Sequence, residues 1–151
     1  PPLPLPLFAT MSAEDDELPN LVDDAPTATT GEEEELDSDD DVSTLAPEDR
    51  LARALAAKDK GNGAFKAKDE AGAVKEYKYG VGMLEGLNEA NTGEEQVKAL
   101  LLSLHNNLSM VHFKLGEYGE ATKQGSAALT IDPQNVKGLY RRGAARRKAG
   151  E

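Results

Sequence analysis

The sequence predicts an all-α fold behind a disordered acidic tail, and three observations predict it. Charge is divided sharply along the chain. Residues 1–49 hold 16 of the 28 acidic residues and no Lys or Arg, which leaves residues 50–151 with a net charge of +5. From Pro47 onward apolar residues recur every three or four positions, the period of a helix face, and no run alternates as a strand does. The punctuation is also helical, with Pro opening and Gly closing candidate segments.

The composition excludes several classes. The chain has 151 residues, enough for one ordinary domain, and no cysteine. A disulfide framework, a thiolate metal site and a cysteine nucleophile are therefore ruled out. No run reaches the ~18 apolar residues of a membrane helix. The opening "PPLPLPLFAT" is apolar but has no basic flank and alternates with proline, so it is a poor signal peptide. Met11 follows it, and residues 1–10 read as leader sequence with no function assigned. Residues 12–46 are rich in Asp, Glu, Ser, Thr and Pro, and bury too little to offset chain entropy. The tail is therefore assigned to residues 1–46 and the folded domain to 47–151.

Five helices follow in order. The first spans about 47–67, entered at Pro47 with Glu48 and Asp49 suited to the helix dipole, and with Leu51, Leu55 and Phe65 as buried candidates. The second spans about 71–87 and carries Val74, Tyr77, Val81 and Leu84 on one face. "NEANTGEE" is a loop. The third, about 94–115, carries Val97, Leu101, Leu104, Leu108 and Val111, and Gly116 caps it in left-handed conformation. The fourth, about 118–130, stops before "DPQN", and the fifth opens at Pro133 and runs to Lys148.

Helix pairs invite a search for repeats. "NNLSMVHFKLGEYGEATKQGSAALTIDP" resembles a tetratricopeptide (TPR) repeat. Counted from Leu102 as position 1, Ser109 falls on the small position 8, His112 on the usually aromatic position 11, Ala121 on 20, Ala128 on 27 and Pro133 on 32. Val136 opens the next repeat 34 residues on, with Gly143 at its position 8. An earlier repeat starts near Ala54, with Gly61, Ala73 and Tyr77 at positions 8, 20 and 24. The first interval, from 54 to 102, is 14 residues longer than one repeat, about two extra turns in each helix. That long first repeat, with "VKGLYRRG" opening the third, is similar to the TPR region of FKBP-type and cyclophilin-type immunophilins. The resemblance implies a solenoid of two full helical hairpins and the first helix of a third. The chain stops at "KAGE", where the next helix should begin, so the expectation is a fragment truncated at its C-terminus. Departures include Arg142 and Arg146 at positions usually apolar or aromatic, Gly125 at an aromatic one, and the glycine-heavy "AVKEYKYGVGMLEG".

The stretch "KDKGNGAF" gains a meaning in this frame. Gly61 is a packing glycine; Gly63 has no reason visible in the sequence. The resemblance implies a carboxylate clamp for the C-terminal EEVD peptide of Hsp90- or Hsp70-class chaperones. Its five expected positions read Lys58, Asn62, Asn107, Lys137 and Arg141. Lys58 and Asn62 are four residues apart, as are Lys137 and Arg141, so each pair shares a helix face. By resemblance, Lys58, Asn62 and Asn107 surround the terminal carboxylate, while Lys137 and Arg141 hold the Asp side chain and nearby backbone. Phe65 and Met110, a turn beyond the asparagines, are candidates for the ligand's apolar pocket.

Other motifs are weighed and set aside. Asp37, Asp39, Asp41 and Glu48 have calcium-loop spacing, but Val42 stands where glycine is required. "YRRGAARRK" lacks an aromatic stacking platform for nucleic acid. "GVGMLEG" has no preceding strand and the wrong spacing for a dinucleotide site. His105 and His112 share a helix without further ligands. Ser38, before three aspartates, is a candidate acidophilic phosphorylation site. No nucleophile triad, paired catalytic carboxylates or phosphate loop is present. The function the resemblance implies is a non-catalytic, cytoplasmic (and also nuclear) co-chaperone module, with no metal, cofactor, nucleic acid or membrane. Two alternatives stand beside it: part of a multidomain peptidyl-prolyl isomerase whose catalytic domain lies outside this chain, and a TPR scaffold for another peptide.

Overall fold

A computed structural model describes residues 41–87 and 94–150. The expected leader, Ser38, Asp37, Asp39 and most of the expected tail lie outside the described residues. Five helices make up the described fold: α1 (Pro47–Lys66), α2 (Glu70–Leu84), α3 (Glu94–Lys114), α4 (Tyr118–Ile131) and α5 (Val136–Ala149). Each packs on the next, and α3 also touches α1 and α5. Helices α1, α3 and α5 thus share one layer of a two-layer array, with α2 and α4 in the other.

Helix α1 starts where its sequence demands. Pro47 occupies the first turn with Glu48 and Asp49 beside it. Ahead of it, Val42–Thr44 form a 3-10 turn capped by Asp41, whose carboxylate accepts from Ser43 N at 3.0 Å and Ser43 Oγ at 2.7 Å. Those hydrogen bonds hold the Asp41 carboxyl below the usual carboxylate range. Val42 and Leu45 lie against the core, so packing begins before α1, inside the span read as tail. The aspartate at the calcium-loop spacing that the sequence reading set aside is a turn cap.

The α1–α2 and α3–α4 turns solve one problem with different residues. Lys68 takes φ +66° and Gly116 takes φ +78° at equivalent repeat positions. In both turns the next residue's N–H reaches back to satisfy a helix-end carbonyl, Asp69 N to Ala64 O at 2.9 Å and Glu117 N to His112 O at 2.9 Å. Glycine adopts this conformation freely; lysine does so at a cost of about 1 kcal/mol. Asp69 then caps α2 through Gly72 N at 2.9 Å.

Two boundaries differ from the sequence reading. Helix α2 ends at Leu84, because Gly86 turns left-handed at φ +79° and Arg50 caps the helix end from α1. Arg50 Nε donates to Met83 O at 2.9 Å and its Nη2 donates to Glu85 O, so a cation meets carbonyls at the negative end of a helix. Helix α5 opens at Val136 and not at Pro133. Asp132 and Asn135 form a turn instead, and Asn135 Oδ1 caps the helix by accepting from Gly138 N at 2.8 Å.

The core runs through Tyr77, Leu84, Val97, Leu104, Leu108 and Val111, all buried. Truncating Leu104 or Leu108 to Ala would cost about 2–5 kcal/mol. Leu51, Leu55, Phe65, Val74, Val81 and Leu101 are half-buried against this cluster, not enclosed by it. Glycines admit close contacts at two junctions. A Cβ on Gly61 would stand 2.4 Å from the Tyr77 ring, and one on Gly125 would stand 3.0 Å from Arg142 Cβ and 3.3 Å from its backbone. The glycine at an aromatic repeat position thus lets α5 approach α4. Ser109 Oγ donates to Ala121 O at 2.8 Å, which joins two small positions of the second hairpin.

Candidate functional site

The buried stripe of α1 changes character along its length. Ala54, Ala57, Lys58, Gly61 and Asn62 share one enclosed face, with the apolar positions giving way to a cation and an amide. Lys58 and Asn62 are each only 4% exposed. Asn107, on α3, is fully enclosed. Its Nδ2 donates to Asn62 Oδ1 at 3.5 Å, a long contact that nevertheless fixes two residues 45 positions apart side by side. The Tyr77 hydroxyl, from α2, donates to the same Asn62 oxygen at 2.6 Å. Three helices therefore meet at one amide.

Helix α5 supplies the other cations. Arg141 is 5% exposed and shares a buried stripe with Gly138 and Ala145, whereas Lys137 is exposed. A second asparagine sets the entry of this helix. Asn106, 1% exposed on α3, donates from Nδ2 to Asn135 Oδ1 at 3.0 Å. The cap oxygen that starts α5 is thus tied to α3, one residue before Asn107. This fixes the end of α5 that carries Lys137 and Arg141 relative to the asparagine pair.

Burial makes the arrangement chemically pointed. A buried cation or amide is costly unless hydrogen-bonded or paired. Among the described residues no carboxylate side chain pairs with Lys58. Lysine ammonium, guanidinium and the N–H edges of the asparagine amides are donors, so the group those edges suit is an anionic acceptor.

The two candidates for an apolar pocket beside the asparagines lie in or against the core. Met110 is 3% exposed and belongs to the hydrophobic core. Phe65 is half-buried, with Lys114 Nζ 5.0 Å above its ring centroid, a cation–π contact between the ends of α1 and α3. His105 and His112 serve the second hairpin. His105 Nδ1 lies 2.8 Å from Gln124 Oε1, and His112 Nδ1 lies 2.6 Å from Glu117 Oε2. Among the described residues no group of three or more His, Cys, Asp or Glu could hold a metal ion, and no helix is long and apolar enough to cross a membrane.

Sequence reasoning placed Tyr77 only as a packing residue and gave Asn106 no role. A tyrosine where a phenylalanine would fill the space equally well was the one available signal for the first. Two adjacent asparagines between the core positions Leu104 and Leu108 were the signal for the second.

Comparison with known proteins gives a consistent result. No protein-family profile matches the chain. It is 36% identical over 99 residues to FK506-binding protein 59 of Drosophila melanogaster, covering 66% of this chain. It is 35% identical over 102 residues to the peptidyl-prolyl cis-trans isomerase FKBP4 of Bos taurus, covering 67% of this chain. The chain spans 22% of the length of each of these relatives. Its fold matches the C-terminal TPR-containing domain of a Plasmodium falciparum FK506-binding protein with a TM-score of 0.69 and 27% identity, over 73% of this chain and 74% of that one.

Proposed function

From the premise that this chain is homologous to the TPR region of FK506-binding proteins, we propose that it is a co-chaperone module that binds the C-terminal EEVD-type carboxylate peptide of Hsp90- or Hsp70-class chaperones. The observation that carries the reading is the meeting of Asn62 and Asn107 across α1 and α3, on the helix layer that also carries Lys58 and Arg141. An EEVD terminus offers two adjacent carboxylates, the main-chain end and the Asp side chain. Lys58, Asn62 and Asn107 serve the first; Lys137 and Arg141 serve the second. Phe65, three residues after Asn62 on α1, is one candidate contact for the ligand's apolar side chain; Met110, buried in the core, is the other. Such a module works in the cytoplasm, with the nucleus as a second compartment.

A second reading concerns the whole protein. The relatives are named as peptidyl-prolyl isomerases or FK506-binding proteins and are several times longer than this chain. An isomerase domain elsewhere in the full protein would make this segment its recruiting arm, while the chemistry happens outside it.

The test is calorimetric titration with an EEVD-ending peptide, as free acid and as C-terminal amide, on wild type and Lys137→Ala. Lys137 is exposed, so its removal leaves the fold intact. The free acid is expected to bind more tightly, and Lys137→Ala to weaken it by roughly tenfold, the value of one charge-assisted hydrogen bond. Equal affinities for acid and amide would overturn the clamp.

A further inference from the structure

We infer that Tyr77 is a positioning residue for the anion site: its hydroxyl turns the Asn62 amide so that Nδ2, and not Oδ1, is the edge presented to a ligand. The inference rests on the carboxylate-binding reading above. An asparagine amide is nearly symmetric in shape and opposite in chemistry at its two ends. With Nδ2 forward it attracts a carboxylate; with Oδ1 forward it repels one. Nothing in the Asn62 side chain itself selects between them.

The surroundings select. Two donors from two other helices converge on Oδ1, the Tyr77 hydroxyl at 2.6 Å and Asn107 Nδ2 at 3.5 Å. The carbonyl oxygen has two lone pairs, and these two donors occupy both. The shorter bond dominates, since the 3.5 Å contact is at the edge of useful geometry. Reversing the amide would set Nδ2 against the Asn107 donor.

The tyrosine is itself held. It is fully buried, and its ring lies so close to Gly61 that a Cβ there would stand 2.4 Å from Cε1 and 2.6 Å from Cδ1. Gly61 therefore does more than let two helices approach. It opens the slot through which a phenol from α2 reaches an amide on α1, one residue along. A phenylalanine would fill that slot equally well, so the hydroxyl serves the amide and not the packing.

The experiment uses the full chain with Tyr77→Phe and, separately, Asn62→Asp. Tyr77→Phe keeps the ring and removes only the orienting donor. Asn62→Asp keeps an acceptor for Tyr77, removes the donor edge and adds a negative charge that opposes a carboxylate. Both are titrated with the free-acid and amidated EEVD peptides, and the Asn62 side-chain amide is followed by NMR, assigned by its loss in Asn62→Asp. In wild type one sharp amide pair is expected; in Tyr77→Phe it shifts and broadens as the amide samples both orientations. Free-acid affinity falls about fivefold in Tyr77→Phe while amide-peptide affinity holds, which shrinks the acid-to-amide ratio. Asn62→Asp loses free-acid binding by more than tenfold.

Failure of this inference and failure of the clamp reading look different. If wild type prefers the free acid but Tyr77→Phe keeps both the wild-type ratio and an unchanged amide pair, the positioning role is overturned and the clamp stands. Free-acid binding by Asn62→Asp at wild-type strength overturns the role without any need for Tyr77→Phe to fold. If wild type itself shows no acid preference, the clamp reading falls.

Discussion

Gly61 and Gly63 stand two residues apart in one helix, and alanine should act on them with opposite signs. At Gly61 a new Cβ would lie 2.4 Å from Tyr77 Cε1, 2.6 Å from Cδ1 and 3.0 Å from Cζ. Ordinary contact needs about 3.4 Å or more, so the ring must retreat by about 1 Å. It has no room to do so, being fully buried, and retreat stretches its 2.6 Å bond to Asn62. Overpacking costs about 1–3 kcal/mol and the weakened hydrogen bond about 1 kcal/mol. Alanine returns about 1 kcal/mol of helix propensity. The net for Gly61→Ala is a loss of about 1–3 kcal/mol. At Gly63 nothing lies within 4 Å of the added Cβ, so only the propensity gain remains, about 0.5–1 kcal/mol in favour of the variant. For a folded part of this size 1 kcal/mol moves Tm by about 4–8 °C. Thermal and urea melts by circular dichroism, with the denaturant slope checked for constancy, read both variants. A Gly61→Ala chain that melts at or above wild type would refute the reasoning, as would a Gly63→Ala chain that melts below it.

Two further substitutions test the turns. Lys68→Gly relieves the left-handed φ of +66° and should stabilise the chain by about 1 kcal/mol, seen as a raised Tm; no change would show that lysine bears no strain there. Asn135→Ala removes both the cap of α5 and the acceptor for Asn106 Nδ2, and should cost about 2 kcal/mol. The same variant should weaken the free-acid peptide, because the start of α5 carries Lys137. Wild-type affinity despite the lost stability would show that α5 is placed by its packing on α4 alone.

The helices were legible because the signals that make them are local. A 3.6-residue apolar period, Pro at the entry of α1 and Gly116 after α3 each act within a turn or two of chain. The 34-residue spacing carried the resemblance and placed five polar residues at related positions before any contact was known. The start of α5 was misread for an equally local reason: Pro133 can open a helix, but Asn135 has the side chain that caps one, and the backbone took the cap. The α2 end was set from outside, by Arg50 reaching from α1.

By itself, then, the sequence determined periodicity, repeat length and the chemical types at the anion site, since these are properties of spacing along one chain. Tertiary structure decided what those residues meet. Whether Gly61 or Gly63 is indispensable depends on a ring 16 residues away from the first and on empty space beside the second. Whether Asn62 shows its donor or its acceptor depends on a hydroxyl from α2 and an amide from α3. Whether Met110 is exposed or enclosed depends on the helices packed around α3. Helix register fixes which residues share a face; only the packing of one helix on another fixes the distance, and at 3 Å that distance separates a contact from a clash.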